Sequence, residues 1–191
     1  MNTKIISFAI NSHADVNHLY DGFPYSVHLS IVAMFAQKYV NELPSEIQSD
    51  VLDACWLHDT IEDCRLTYND ILLVSNKQVA NIVYALTNEK GKNRNERANE
   101  KYYNGIRDVA FASFVKLCDR LANVKYSKDT DSSMFQKYKR ENYNFINSLF
   151  QKGVPIEYKA MVFELNSYFV SVSVDWRTTH KYTHLLQLKY I

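Results

Sequence analysis

Glycine occurs four times and proline three times in this 191-residue chain. These residues punctuate strands and tight turns, so their scarcity argues against a many-turned β fold and for long helices. The length suits one domain with an added terminal element and a core that needs no covalent staples. With 47% hydrophobic and 23% charged residues, the balance is that of an ordinary soluble chain. The fold class expected is all-α.

Apolar spacing predicts a first helix over residues 3–20, with Ile5, Ile6, Ala9, Ile10 and His13 near helical period. Asp21-Gly22-Phe23-Pro24 reads as a turn, and Pro24 suits the first position of a second helix running to about Val40. Ser45 with Gln48 has the S-x-x-Q pattern of a capping box, opening a third helix from about Glu46 to His58. Thr67 suits the cap of a short helix. Further helices are predicted over 77–87, 99–106, 108–124 and 134–150, with the polar stretch NEKGKNRNER as a loop or helix start. Gly153-Val154-Pro155 breaks the chain, which divides it into residues 1–152 and an extension, 153–191, packed on the same domain. In that extension 157–168 suits a helix, whereas 169–174 alternates like a strand.

The formal net charge of +1 gives no bias toward nucleic acid or membrane surfaces. No apolar run approaches the ~20 residues that span a bilayer. The start, MNTKIISFAINSHADV, lacks the pattern of a signal peptide. Cys55, Cys64 and Cys118 fit neither a zinc ribbon nor a disulfide framework, and Cys55 and Cys118 fall among apolar helical positions as buried thiols. A reducing, cytoplasmic setting is expected.

The run CWLHDTIED supplies the chemistry. His58-Asp59 follows Val51, Leu52, Ala54, Cys55, Trp56 and Leu57, a buried pattern. An imidazole and a carboxylate buried together need compensation. A divalent cation provides it by taking both as ligands; alone, the pair equally fits a satisfied core histidine. His28 lies among apolar neighbours on the preceding helix, and Asp119 sits inside the apolar pattern of FVKLCDRLANVKY. Such an aspartate needs a partner, whether a metal, the side chains of Arg120 or Lys116, or the backbone amides of a capping role. On a continuous helix His58 and Glu62 share a face, as do Asp59 and Asp63. Lys116, Asp119 and Asn123 share another, combining a cation, a ligand and an amide in a way that suits a phosphate ester beside a metal.

The order H…HD…D resembles the HD superfamily of metal-dependent phosphohydrolases. PYSVHLSIVA, LHDTIED and VKLCDRLANV are similar to the P-Y-x-x-H, L-L-H-D-x-x-E-D and K-L-A-D-R-L-x-N blocks of RelA/SpoT-type hydrolase domains and small alarmone hydrolases. The likeness covers about residues 11–150. It implies an HD-domain helical bundle that hydrolyses the 3′-pyrophosphate of guanosine tetra- or pentaphosphate, a small-molecule nucleotide. The metal ligands implied are His28, His58, Asp59 and Asp119, with Glu62 and Asp63 as the catalytic acidic pair. Asn123, Tyr25 and His18 fall at the nucleotide. Lys139 and Tyr143, spaced four apart, would touch substrate from the following helix, and Lys90, Arg94 and Arg97 are the implied phosphate contacts. A nitrogen and oxygen donor set of this kind suits Mn²⁺, with Fe²⁺ and Zn²⁺ as alternatives.

The chain departs from these hydrolases at Asn17-His18-Leu19-Tyr20, where they carry adjacent basic residues. Only His18 can take a charge there, and His18 and Tyr20 are candidates to stack on a base. Two other readings therefore stay open: an HD-type phosphatase acting on a deoxynucleotide or NADPH, and a protein that sequesters a nucleotide. The Glu62-Asp63 pair argues against the second, because a pure binder needs no water-activating acid. No pattern in the sequence fixes an oligomeric state.

Overall fold

The computed structural model describes residues 2–88 and 91–170, apart from the side chains of Arg94 and Asn95. Helix α1, Thr3–Asp15, is capped by the Asn2 side chain, which accepts from the Lys4 amide at 3.2 Å. It stops five residues short of the predicted end, and Asn17 adopts a left-handed φ of 51°. The chain then forms a small antiparallel hairpin, β1 Leu19–Tyr20 with β2 Phe23–Pro24. Asp21 and Gly22 both have positive φ, 51° and 82°, the pattern that a two-residue primed hairpin turn requires. Pro24 is thus a strand residue, and α2 begins two residues later, at Ser26–Tyr39.

Helix α3 spans Ser45–Leu57. The predicted capping box does not form. Ser45 is already helical, Pro44 stands at the cap position, and Gln48 donates to the Leu43 carbonyl at 2.9 Å. A reciprocal capping box forms instead at Thr67 and Asp70, opening α5, Tyr68–Val74, after the short α4, Thr60–Asp63. Asn76 and Asn99 cap α6, Lys77–Leu86, and α8, Glu100–Asp108, with α7, Arg94–Arg97, between them. Helix α9, Ala112–Asp129, starts four residues later than predicted because Phe111 turns the chain at φ 66°. Helix α10 is Ser133–Leu149, and Gly153 breaks the chain at φ 93° before α11, Lys159–Ser167. Of the segment predicted as a strand, 169–174, Phe169 and Val170 form a turn after α11 and the rest lies outside the described residues.

Helices α2, α3 and α9 pack on one another at the centre of the bundle. Leu29, Phe35, Leu57, Phe114, Leu117 and Leu121 are buried there, each contributing about 1.5–3 kcal/mol of apolar transfer. Helix α11 packs on α9 and is tied to α2 through Glu164, which accepts from Lys38 and Tyr168 at 2.8 Å each and from Tyr39. Cys55, Cys64 and Cys118 are free, buried thiols. No helix among the described residues is long and apolar enough to cross a membrane.

Candidate metal centre and cleft

The three central helices bring together the side chains that the sequence singled out. His28 comes from α2, His58 from the residue after α3, and Asp119 from α9; one ligand atom of each lies within 4.8 Å of the others. The two imidazole Nε2 atoms face each other at 3.4 Å. His28 Nε2 is 3.4 Å from Asp119 Oδ1 and 3.7 Å from Asp59 Oδ2, and His58 Nε2 is 2.8 Å from Asp59 Oδ2. His58 Nδ1 sits 2.9 Å from the Cys55 carbonyl, which fixes it as a donor and turns Nε2 inward.

The electrostatics demand a positive charge at this spot. Burial works against an imidazolium at His58, but the Asp59 and Asp119 carboxylates outweigh it and lift its pKa to about 9. Burial likewise pushes Asp59 and Asp119 up. His58 reverses this for Asp59, and Lys116 with the two histidines reverses it for Asp119, so both sit below the ordinary carboxylate range. Two inward imidazole nitrogens between two ionised carboxylates match the donor chemistry of a divalent transition-metal site. The residues present fit such an ion.

Asp119 is held from both sides. Lys116 Nζ lies 3.0 Å from its Oδ2, and the Asn123 amide donates to its Oδ1 at 2.5 Å. Tyr20 in turn donates to the Asn123 oxygen at 3.1 Å, so both ends of that amide are engaged. The alternative partner foreseen for Asp119, Lys116, is therefore present alongside the imidazoles.

The helix does not run through the acidic pair as the shared-face argument assumed. Helix α3 ends at Leu57, and His58 and Asp59 form a turn stabilised by the Thr60 hydroxyl on the Leu57 carbonyl at 2.6 Å. Glu62 is held at the cleft by Asn88, whose side-chain amide donates to its two oxygens at 2.8 and 2.9 Å. Burial pushes the Asp63 carboxyl up to about 7, with the Asp59 and Glu62 charges adding to it. His18 Nδ1 is 3.7 Å from Asp63 and 2.9 Å from His13 Nδ1. Its ring stacks on Tyr25 with centroids 3.9 Å apart, and the Tyr25 hydroxyl donates to Asp59.

A cleft of about 400 Å³ opens from these residues. Tyr25, Asp59, Glu62, Asp63, Asp119 and Asn123 line one part of it, and Arg97, Lys116 and Arg120 bring cations to it. Arg97 lines the cleft. Lys90 and the Arg94 side chain lie outside the described residues. The prediction for α10 needs correcting: the helix turns Tyr138, Glu141, Asn144, Phe145 and Ser148 to the cleft, while Lys139 and Tyr143 are exposed and line no part of it. Among the cleft residues, Asn88 carried no role in the sequence reading, and Arg120 entered it only as a possible partner of Asp119. An arginine inside an apolar helical pattern was the available signal for Arg120; Asn88 had none.

No family model matches the chain. Among curated proteins it is 29% identical over 123 residues to the zebrafish (Danio rerio) guanosine-3′,5′-bis(diphosphate) 3′-pyrophosphohydrolase MESH1, an alignment covering 64% of this chain and 66% of that protein. The Xenopus tropicalis protein of the same name is 36% identical over 75 residues, 39% of this chain and 42% of the relative. The alignments therefore span just under two thirds of the zebrafish relative and less of the frog one. Among solved structures, a metazoan ortholog of SpoT superposes with a TM-score of 0.66 at 18% identity, covering 87% of this chain and 92% of that one. The chain shares the all-α fold of that structure. In this bundle His28, His58 and Asp119 converge between α2, α3 and α9.

Proposed function

We propose that this HD protein is a metal-dependent pyrophosphohydrolase that removes the 3′-diphosphate of guanosine tetra- or pentaphosphate. One observation carries the reading: His28, His58 and Asp119 converge within 4.8 Å beside the Glu62-Asp63 pair. The zebrafish and frog relatives, both named as 3′-pyrophosphohydrolases of guanosine bis-diphosphate, support the choice of substrate.

His28, His58, Asp59 and Asp119 would hold the cation, and their mixed donors suit Mn²⁺. A divalent ion held there would supply Lewis acidity, lowering the pKa of water and polarising a phosphoryl oxygen. Asp63, whose carboxyl is pushed up by burial and by the Asp59 and Glu62 charges, is the group placed to accept a proton from attacking water. Glu62, gripped by Asn88, is fixed in orientation and accepts the second hydrogen of that water. Lys116 and Arg97 offset charge on the phosphoryl oxygens. Water adds to the phosphorus next to the 3′ oxygen, that P–O bond breaks, the proton taken by Asp63 passes to the 3′ oxygen, and pyrophosphate leaves with GDP from the tetraphosphate or GTP from the pentaphosphate.

The test is a panel of guanosine tetraphosphate, deoxynucleoside triphosphates and NADPH, given to the Mn²⁺-loaded protein and resolved by anion-exchange chromatography. GDP and pyrophosphate from the first compound support the reading. Orthophosphate from another member of the panel, with guanosine tetraphosphate intact, overturns it.

A further inference from the structure

Arg120 is a cleft cation that the mechanism above leaves unused. Its side chain is 7% exposed, and its guanidinium lies 4.2 Å from the Phe145 ring centroid and 4.9 Å from that of Tyr138. Nη1 is 3.6 Å from Glu141 Oε2, and both residues line the cleft. The aromatic pair holds the guanidinium plane in place, so little side-chain freedom remains to be lost when an anion docks. Glu141 is more open, at 31% exposure, and its contact with Nη1 is longer than a hydrogen bond.

We propose that Arg120 forms a subsite for the diphosphate of the substrate that is not attacked, with Glu141 as the counter-ion that this diphosphate displaces. The proposal rests on the alarmone reading above, in which the substrate carries two diphosphates and only one can lie at the acidic pair. The second needs a cation of its own. A planar guanidinium pairs with phosphate oxygens in two parallel hydrogen bonds. Because Glu141 already neutralises Arg120, a ligand must outcompete a carboxylate to enter. That favours a diphosphate over a single phosphate and makes occupancy depend on ligand charge.

GDP carries only the unattacked diphosphate and is the probe. Calorimetric titration of GDP into the Mn²⁺-loaded protein should show Arg120→Gln weakening binding about tenfold or more. Glu141→Gln should tighten it about threefold, because the competing charge is gone. In turnover, Arg120→Gln should raise KM for guanosine tetraphosphate and leave KM for guanosine 3′-diphosphate, which lacks the 5′ phosphates, unchanged. If the wild type cleaves neither compound, the alarmone reading fails while the GDP titration still reads the subsite. If both KM values rise together, or if Glu141→Gln leaves GDP affinity unchanged, the subsite is overturned. Should Arg120→Gln not fold by circular dichroism, the Glu141→Gln titration decides.

Discussion

The phenol of Tyr20 donates to the side-chain oxygen of Asn123, 3.1 Å away and 103 residues later in the chain. Asn123 uses its other end to grip Asp119, so the hairpin reaches the metal centre through one amide. The Asp21-Gly22 turn positions Tyr20 for this contact, because both residues hold the positive φ that a tight hairpin needs. Tyr20→Phe removes the donor and keeps the ring against His28 and Tyr126. The expected cost is about 1 kcal/mol of stability, with a several-fold loss of kcat/KM and unchanged metal content. Thermal melts, metal analysis and steady-state kinetics on one preparation check all three.

Asp119→Asn tests the metal centre itself. The amide keeps the shape and removes the charge that faces His28 and Lys116. Metal retained after dialysis, measured by elemental analysis, should fall at least about tenfold, and turnover should fall with it. Added Mn²⁺ should raise the Tm of the wild type and barely move that of the variant. A variant that keeps its metal and its activity would remove Asp119 from the ligand set.

Asn88 fixes Glu62 by two side-chain hydrogen bonds and a backbone contact at 3.3 Å. Asn88→Ala frees that carboxylate without touching a ligand. Metal content should stay constant while kcat falls about 10- to 100-fold, the loss expected when a positioned group is allowed to wander. Fluctuating metal content would assign Asn88 to the ion instead.

The candidate metal site was legible because each of its side chains interrupts a strong apolar helical pattern: His28 in α2, His58-Asp59 at the end of α3, Asp119 in α9. Polar groups amid such patterns are costly unless joined to something, and that signal survives without structure. The break after Leu57 was not legible. His58 and Asp59 keep right-handed backbone angles and no glycine or proline marks the turn, so a continuous helix was the natural reading. The face of α10 was missed for a geometric reason. Each residue advances a helix by about 100°, so a reading offset by one position swings the face well aside. Lys139 and Tyr143 keep the expected spacing of four, but Tyr138, Glu141 and Phe145 face the cleft. Arg120 was read only as a partner for Asp119, because sequence could not reveal the rings of Tyr138 and Phe145 across from it.

The corrected face of α10 makes a paired prediction. Lys139 is exposed away from the cleft, whereas Arg97 lines it. Lys139→Ala should leave kcat/KM within about twofold of wild type, and Arg97→Ala should lower it about tenfold through KM. Equal losses in both variants would mean that Lys139 reaches the substrate after all.

The last prediction concerns pH and the attachment of α11. Burial pushes Glu164 up, but hydrogen bonds from Lys38, Tyr39 and Tyr168 outweigh it and hold its pKa below the ordinary 4.5. The unfolded chain therefore binds more protons than the folded one in the interval between the lowered value and 4.5. Stability from this carboxylate is fully present above that interval and is lost as pH falls through the folded-state pKa. Glu164→Gln keeps the shape but removes the charge that collects three donors from α2 and α11. At about pH 7 the variant should melt a few degrees, roughly 3 °C, below wild type. As pH falls through the lowered folded-state pKa the two melting curves should draw together, because the wild-type carboxyl loses its charge there as well. The attachment of α11 would have to rest on its apolar contacts with α9 alone if the gap stayed constant across that range, or was absent at neutral pH.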